Sequence, residues 1–381
     1  MSLRAFDPLP IRRAAQRRNI SQLSARKIKR ASFVGAVLIG CVTLGALSAE
    51  AKPRLEGLEP TSISISARVI TSFGRARKPG RRAGELIWLG GLSLSSPSDY
   101  FGGFSGLSIS PDGGRLFAAS DAGFWMTARL AQQGGRLTGI SDGRVGPFRA
   151  LSGRLLSGGR EVDAEAVSLF RGTLDNGEVL IAFEQIHRVG RFPIRNGEIG
   201  KPARYLGLPS YIKSLKGNRG LEGLEQLKGQ NTGELVMFAE GRRAFSGNLR
   251  GWHFRGGTWR EIFLAPIGGY DITGIAALPD GGFLTLERRF RWSEGVKMRI
   301  RRVGARELAR TNELRGEVLL DVDSSANIDN MEGIAVHRET PTDGNPGRTV
   351  ITLISDDNFN FFQRNLILRF ALPEAPVKAT N

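Results

Sequence analysis

The sequence is nearly without cysteine, because Cys41 is the only one among its 381 residues. A single cysteine excludes an intrachain disulfide framework and a cysteine-based zinc site. Histidine is also scarce, and His187, His253 and His337 are too scattered for a zinc-binding motif. A chain that keeps no cysteine once its N-terminus is removed is compatible with an oxidising compartment.

Several common functional motifs are missing as well. The sequence has no Gly-x-Ser-x-Gly nucleophile elbow and no P-loop, so a serine-hydrolase triad has no support in it. The formal net charge is +17, but the arginines are scattered and no nucleic-acid-binding motif is present. We therefore expect a basic surface and no nucleic-acid partner.

Residues 1–51 have the order of a secretory signal sequence. A basic region, 1–30, precedes an apolar run, 31–47, and small residues continue to Ala51. This order predicts a periplasmic or secreted protein that is cleaved after Ala51. Two alternatives stay open, namely a membrane anchor formed by 31–47 and a lipoprotein lipidated on Cys41. We expect contact with a membrane only through such an N-terminus.

Glycine is abundant, at 50 residues, and it marks an internal repeat. A polar, a small and an aliphatic residue recur together five times, and the small residues are Gly106, Ala166, Gly223, Gly274 and Gly333. Each is followed by a Gly-bearing turn or insert and then by a short strand that is apolar on both faces. A repeat of about 55 residues with three or four strands is typical of a propeller blade.

The repeat predicts an all-β fold, a single β-propeller of mostly four-stranded antiparallel sheets. We expect six blades, with five as the alternative, because segments 63–70 and 85–94 can combine with the C-terminal strand into a closing blade. Residues 52–84 would form an N-terminal strand and linker, 85–372 the propeller domain, and 373–381 a flexible tail.

Carboxylates recur at two positions of this repeat. The residue that opens the motif is in turn Ser105, Glu165, Glu222, Thr273 and Glu332. The residues that close the second strand are the acids Asp121, Glu184, Glu240, Glu287 and Asp356. Both positions should lie near the propeller axis, where crowded carboxylates repel each other unless a cation or arginines lie among them. Hard oxygen ligands of this kind suit Ca²⁺ or Mg²⁺.

Together the motifs resemble a bacterial family of exported phytase-like propellers called "esterase-like activity of phytase". The resemblance rests on Phe104-Ser105-Gly106-Leu107-Ser108, Ala119-Ser120-Asp121, Asp163-Ala164-Glu165, Asn218-Arg219-Gly220-Leu221-Glu222-Gly223, Phe283-Leu284-Thr285-Leu286-Glu287-Arg288, Asn330-Met331-Glu332-Gly333-Ile334 and Ser355-Asp356-Asp357-Asn358-Phe359. These pieces cover about residues 85–372. The resemblance implies a propeller and metal-assisted hydrolysis of phosphoesters or esters.

The resemblance also implies roles for individual residues around Ca²⁺ or another divalent cation. The implied metal ligands are Glu165, Glu222, Glu332, Asp356 and Asp357, to which we add the closing acid Asp121. The residues expected to bind a small anionic substrate, such as a phosphoester, are Arg219, Arg288 and His187. The candidate catalytic residues are Glu184, Glu240 and Glu287. Ser105 and Thr273 depart from the acidic pattern.

Two other functions stay open at this point. One is a non-catalytic propeller that binds a ligand or a protein in the cell envelope. The other is a sugar-lactone hydrolase, because lactonase propellers also use a central Ca²⁺. The sequence does not indicate an oligomeric state.

Overall fold

The computed structural model describes residues 52–76, 78–215, 220–339 and 347–373. The predicted signal sequence, with Cys41, lies outside the described residues, as does all but the first residue of the predicted tail. None of the described helices is long and apolar enough to span a bilayer.

Four sheets follow one another along the chain, each starting from an inner strand. Blade 1 contains β5 (Phe104–Ile109), β6 (Arg115–Ser120), β7 (Phe124–Gln133), β8 (Arg136–Pro147) and β1 (Thr61–Ile63). Blade 2 contains β9 (Ala164–Gly172), β10 (Asn176–Phe183), β11 (Arg188–Arg195), β12 (Glu198–Ile199) and β13 (Arg204–Tyr205). Blade 3 contains β14 (Leu221–Gln226), β15 (Leu235–Arg243), β16 (Leu249–Arg255), β17 (Thr258–Leu264) and β21 (Glu313–Leu314). Blade 4 contains β18 (Asp271–Ala277), β19 (Phe283–Arg291), β20 (Gly295–Val303) and β22 (Glu317–Asp323).

The fifth sheet joins both ends of the described chain. Blade 5 contains β23 (Asn330–Arg338), β24 (Thr349–Asp356), β25 (Asn365–Leu372), β4 (Leu86–Ser95), β2 (Ser66–Ile70) and β3 (Arg82–Ala83). Short helices occur only in connections of the described residues: α1 (Gly159–Val162), α2 (Ser210–Lys213), α3 (Ala305–Arg310) and a 3₁₀ turn (Gly229–Asn231).

The inner strands β5, β9, β14, β18 and β23 adjoin one another in that order, and β23 also contacts β5, so the ring closes after five blades. The expectation of six blades is therefore wrong, and the alternative of five is confirmed. The N-terminal strands do pair with the C-terminal strand, as Leu94 with Asn365, but β4 and β2 complete blade 5 and do not start a new one. This pairing still covers the open edge of β25.

The second strand of each blade is buried on both faces, because neighbouring sheets pack against it. In blade 2, for example, Val179 to Phe183 are all fully buried in β10. Large aromatic side chains fill the spaces between the blades, and Trp88, Trp125 and Trp252 have no exposed surface. The strand pattern of the sequence therefore follows from this radial packing.

Each inner strand carries a β-bulge at the same place. Its pairing with the second strand skips one residue in every blade, and the skipped residues are Ser105, Glu165, Glu222, Thr273 and Glu332. These are the residues that open the sequence motif. A bulge leaves its extra residue out of the ladder and redirects the side chain, so the motif marks five places where the backbone aims a side chain at the axis.

The small residue after the bulge is required by the neighbouring inner strand. A Cβ on Gly274 would lie 2.7 Å from the backbone oxygen of Glu332, and one on Gly333 would lie 2.8 Å from the Cβ of Leu107. Both contacts are closer than van der Waals packing allows, so a larger side chain would push the ring of inner strands apart. The repeat of polar, small and aliphatic residues thus encodes both the bulge and the close approach around the axis.

Candidate functional site

Three of the bulge residues bring carboxylates to the propeller axis. Glu165, Glu222 and Glu332, together with Ser105, line a central cavity of about 10 Å³. A cavity of that size has room for about one water molecule. The side chains of the three glutamates are therefore crowded into a narrow, largely buried space.

Four acids in or directly after the second strands, Asp121, Glu184, Glu240 and Asp356, surround the same end of the channel. The backbone N–H of Asp121 donates to Gly103, that of Glu184 to Asp163, and that of Glu240 to Gly220, at 2.8–3.0 Å. Asp356 lies opposite Asn330 in the corresponding register. We call the side chains of Asp121, Asp163, Glu165, Glu184, Glu222, Glu240, Glu332 and Asp356 the acidic mouth.

Blade 4 differs from the sequence prediction at the end of its second strand, where Glu287 was expected. The residue before the bulge, Ile272, lies opposite Glu287, and Asp271 lies opposite Arg288. Arg288 therefore occupies the place that Asp121, Glu184, Glu240 and Asp356 hold in the other blades. The sequence predicted an acid at this position in all five blades. The structure places an acid there in four blades and Arg288 in blade 4.

Glu287 is buried within blade 4 and is not brought to the acidic mouth. Its Oε1 accepts hydrogen bonds from Nε of Arg301 at 2.5 Å and from Oγ1 of Thr285 at 2.8 Å. Neither Glu287 nor Arg301 has exposed surface. These contacts make Glu287 one half of a buried ion pair, and we leave it out of the candidate site.

The closest grouping of carboxylates lies on blade 2. One carboxylate oxygen from each of Asp163, Glu165 and Glu184 lies within 4.8 Å of the other two. Asp163 precedes β9, Glu165 is the bulge residue of that strand, and Glu184 directly follows β10. The amide of Gln185 donates to Asp163 at 2.6 Å, and the backbone N–H of Gly220 donates to Glu184 at 2.6 Å.

Sequence reasoning did not name Asp163 as a site residue, although its signal was visible. Asp163 stands two positions before the predicted ligand Glu165, and the bulge in β9 lets both carboxylates approach Glu184. The spacing shows that Asp163 and Glu165 can share a face of the strand. It does not show that a third carboxylate, that of Glu184, lies beside them, because this depends on the bulge in β9.

The electrostatics of this cluster favour a cation. Burial, together with the charges of Asp163 and Glu240, raises the pKa of Glu184 to about 7. Burial also raises the pKa values of Glu165 and Glu222 well above the usual range, with a contribution from the neighbouring carboxylates. Without a counter-charge the carboxylates would hold protons near neutral pH, whereas a divalent cation would stabilise their ionised forms.

Arg288 supplies a permanent positive charge on the other side of the mouth. Its Nη2 lies 3.4 Å from Oε1 of Glu240 and 3.2 Å from Oε1 of Glu332, and its Nη1 donates to Oδ1 of Asn330. Burial disfavours its charge, but Glu332, Glu240 and Glu222 raise the pKa of Arg288. Burial raises the pKa of Glu332 to about 7 even though Arg288 acts in the opposite direction.

Asp121 and Asp356 complete the mouth. Oδ2 of Asp121 accepts a hydrogen bond from Nζ of Lys52 at 2.7 Å, and burial raises the pKa of Asp121 despite this cation. Oδ1 of Asp356 accepts from the backbone N–H of Asn358 at 2.6 Å, and burial together with the charges of Asp121 and Glu332 raises its pKa. Lys52 was not expected from the sequence.

Asp357 is mainly engaged with the surrounding backbone. Its Oδ1 accepts from the N–H groups of Gly103 at 3.0 Å and Phe359 at 3.2 Å, and its Oδ2 accepts from Asn365 at 2.7 Å. This set of donors ties the loop after β24 to the start of blade 1. Asp357 therefore holds the mouth together, and its predicted role as a metal ligand stays a prediction.

His187 packs beside Glu184, and the predicted Arg219 lies outside the described residues. Nε2 of His187 lies 2.9 Å from the backbone oxygen of Leu215, so it must donate there. Burial lowers the pKa of His187, which favours the neutral ring. A Cβ on Gly220 would lie 2.4 Å from both Cγ of Glu184 and Cε1 of His187, so glycine is required there.

The comparison with known families agrees with this architecture. The family described as "Phytase-like: Esterase-like activity of phytase" matches residues 99–359, which is more than half of the chain and includes every residue of the acidic mouth. No curated protein matches the sequence. The resemblance inferred from the motifs is thereby confirmed, and the chain belongs to the phytase-like family.

Proposed function

We propose that this protein is an exported hydrolase of phosphoesters or carboxylic esters that works with Ca²⁺ or another divalent cation. The observation that carries the proposal is the cluster of Asp163, Glu165 and Glu184, whose buried carboxylates are close enough to share one ion. Membership of the phytase-like family supports a hydrolase-like propeller. Export is supported by the signal-like order of residues 1–51, and fractionation of cells would test it.

The donor set fits a hard cation. Asp163, Glu165 and Glu184 offer only oxygen, which Ca²⁺ and Mg²⁺ prefer over nitrogen or sulfur. Glu222 lies next to Glu165 on the axis and would add a further oxygen or the charge that retains the ion. When bound, such an ion polarises an ester oxygen and lowers the pKa of water.

The remaining residues can bind the substrate and move a proton. Arg288 would attract an anionic group, since its guanidinium lies among the carboxylates of the mouth. A cavity of about 530 Å³ lined by Glu240, Arg242, Arg243 and Asp271 opens beside it and offers space for a substrate. Glu240, whose carboxylate lies beside Arg288 and outside the proposed metal cluster, can accept or donate a proton.

The test combines metal binding with turnover by the purified protein. We expect stoichiometric Ca²⁺ in elemental analysis, and hydrolysis of 4-nitrophenyl phosphate or 4-nitrophenyl acetate that stops on chelation and returns with Ca²⁺. Glu165→Gln should lose both the bound Ca²⁺ and the hydrolytic activity. Its matched control is Ser105→Ala, which changes the equivalent bulge residue without removing a charge and should keep both. Absence of bound metal and of turnover with every divalent ion would refute the proposal. Turnover of lactones alone, or ligand binding without turnover, would redirect it to the two other functions.

A further inference from the structure

Exposed hydrophobic side chains are unevenly distributed over the propeller. We call the end at which the inner strands begin, which holds the acidic mouth, the mouth face. The large hydrophobic residues exposed among the described residues are Val69, Leu151, Ile186, Tyr211, Phe245, Ile267, Phe290, Trp292, Val318, Phe361 and Phe362. All except Val69 and Val318, which lie on the outer strands β2 and β22, belong to hairpin ends or connections of the mouth face. The turns described at the opposite face carry none.

The most exposed of these side chains are aromatic and lie at hairpin tips of three consecutive blades. Phe245 is fully exposed between β15 and β16 of blade 3, Trp292 is 96% exposed between β19 and β20 of blade 4, and Phe361 is 87% exposed between β24 and β25 of blade 5. Trp292 contacts Phe290 edge to face at 5.5 Å, and Phe361 contacts Phe362 in the same way at 5.8 Å. Each of the two aromatic pairs forms a small exposed apolar patch, and the three tips share one face of the propeller, which indicates an interaction surface.

Arginines flank the aromatic tips of blades 3 and 4. In blade 4 the sequence Arg289-Phe290-Arg291-Trp292 alternates the two kinds of side chain, and in blade 3 Arg242 and Arg243 precede Phe245. Several of these arginines also hold the tips in place, since Arg243 pairs with Asp271 and Arg289 and Arg291 pair with Glu294. Aromatic side chains beside arginines are typical of elements that enter the interface of a bilayer with anionic lipids.

We propose that the tips of blades 3, 4 and 5 dock the mouth face onto an anionic phospholipid bilayer, with Phe245, Trp292 and Phe361 entering the interface. The placement of the exposed rings on three different blades favours a membrane over a protein partner, because separate loops suit shallow insertion whereas a protein interface packs around a continuous apolar core. Residues 52–381, which remain after the predicted cleavage, carry a net charge of +10, because residues 1–51 contribute +7 of the +17, and this charge provides the long-range attraction. Docking does not depend on the hydrolase activity, and it is a second membrane contact besides any that the N-terminus supplies.

The test measures binding of the full-length chain to sedimented vesicles of phosphatidylcholine with and without phosphatidylglycerol. We expect binding to the anionic vesicles that weakens at high salt. The triple variant Phe245→Ser/Trp292→Ser/Phe361→Ser should lower the partition coefficient by at least about tenfold, since each ring removes a large apolar area from the interface. The control Val69→Ser/Val318→Ser changes exposed apolar residues away from the mouth face and should bind as the unaltered chain does.

A spectroscopic readout separates docking by the tips from binding by the N-terminal segment. Trp292 should be quenched by brominated lipid in anionic vesicles, and Trp292→Phe should remove this quenching while leaving most of the binding. Trp88, Trp125 and Trp252 are buried and would not respond. Trp259 is half-buried against Phe254 beside the β16–β17 turn, at the end of blade 3 away from the mouth face, so it should not respond either. The proposal would be overturned if the triple variant bound as tightly as the unaltered chain or if lipid failed to quench Trp292. Hydrolysis of soluble esters should be the same in all these variants, so failure of docking is distinguishable from failure of the proposed function.

Discussion

Blade 2 and blade 4 present opposite chemistry from equivalent backbone positions. In blade 2 the residue two before the bulge, the bulge residue and the residue closing the second strand are Asp163, Glu165 and Glu184. In blade 4 the same three positions are Asp271, Thr273 and Arg288. The first set forms the tightest carboxylate cluster of the mouth, whereas the second contains an acid paired with Arg243, a hydroxyl bonded to the backbone of Met331, and a cation.

The difference shows how a symmetric scaffold makes an asymmetric site. The five bulges place side chains at the axis in the same way, so only the residue type decides which side of the mouth attracts a cation. Arg288 is a fixed positive charge for the carboxylates of blades 3 and 5. Within the described ranges, no arginine or lysine forms an ion pair with Asp163, Glu165 or Glu184 of blade 2. A soluble cation is therefore most strongly favoured at blade 2, and the following experiments test that division.

The largest expected effect concerns the buried pair of blade 4. Arg301→Met should reduce the free energy of unfolding by about 3–5 kcal/mol, because the buried Glu287 would lose its hydrogen-bonded partner and keep only Arg299, whose Nη1 lies 3.8 Å from its Oε2. Urea unfolding measures this. The exposed pair of Arg302 and Asp280 provides the control, since Arg302→Met should cost at most about 1 kcal/mol. If Arg301→Met left stability unchanged and abolished turnover, Glu287 would belong to the active site, as the sequence first suggested.

The second effect is the loss of the cation from blade 2. Glu165→Gln should lower the affinity for Ca²⁺ and the turnover by about 100-fold, since it removes one of three charged ligands while keeping the size of the side chain. Isothermal titration with Ca²⁺ measures the affinity. Thr273→Ser changes the equivalent bulge of blade 4, keeps its hydroxyl and should leave affinity unchanged. Equal losses in the two variants would mean that the blades do not differ in the way proposed.

The third effect is expected in substrate binding. Arg288→Met should raise KM for a phosphomonoester by about tenfold, or about 1.4 kcal/mol, because the mouth would lose the positive charge that attracts the substrate. The KM for a neutral carboxylic ester should stay the same. Arg291→Met, on the exposed tip of the same hairpin, is the control. A similar rise in KM for both substrates would show that Arg288 supports the structure of the mouth and does not recognise charge.

These comparisons also explain what the sequence could and could not predict. The repeat predicted the propeller because the polar, small and aliphatic motif encodes a bulge and a close approach in each blade. It did not fix the blade number, since β2 and β4 lack the motif and their pattern is equally compatible with starting a new blade or completing an old one. Only the pairing of β4 with β25 decides between these possibilities.

The site was predictable in its residue types but not in its register. The bulge glutamates Glu165, Glu222 and Glu332 were identified from the motif, and all three line the axis. Glu287 was aligned with the mouth acids because it ends an apolar strand, but β19 reaches the mouth one residue later, at Arg288. A shift of one residue in a strand moves a side chain to the other face, and spacing in the sequence does not reveal it.

The smallest expected effect is a pH dependence of stability in the metal-free protein. The pKa values of Glu184 and Glu332 are raised from 4.5 in the reference state to about 7 in the fold. A raised carboxyl pKa means that the folded state binds the proton more tightly, so its contribution to stability is complete below pH 4.5 and is lost as the pH rises through 7. The melting temperature of the metal-free protein should therefore fall by a few degrees over this interval.

Calcium should remove the part of this fall that comes from blade 2, because a bound cation stabilises the ionised carboxylates and lowers their pKa values. A second part should persist, since Glu332 belongs to blade 5, and burial also raises the pKa of Glu225 to about 7 at the other end of β14, where its neighbour is Ser168. Thermal melts of the unaltered chain and of Glu225→Gln, each with Ca²⁺ and with chelator, separate the calcium-sensitive part of the pH dependence from the part that Glu225 contributes. If Ca²⁺ left the pH dependence of both proteins unchanged, the carboxylates of blade 2 would not be ligands of Ca²⁺. Blades 2 and 4 would then differ in the charge of their side chains but not in metal binding.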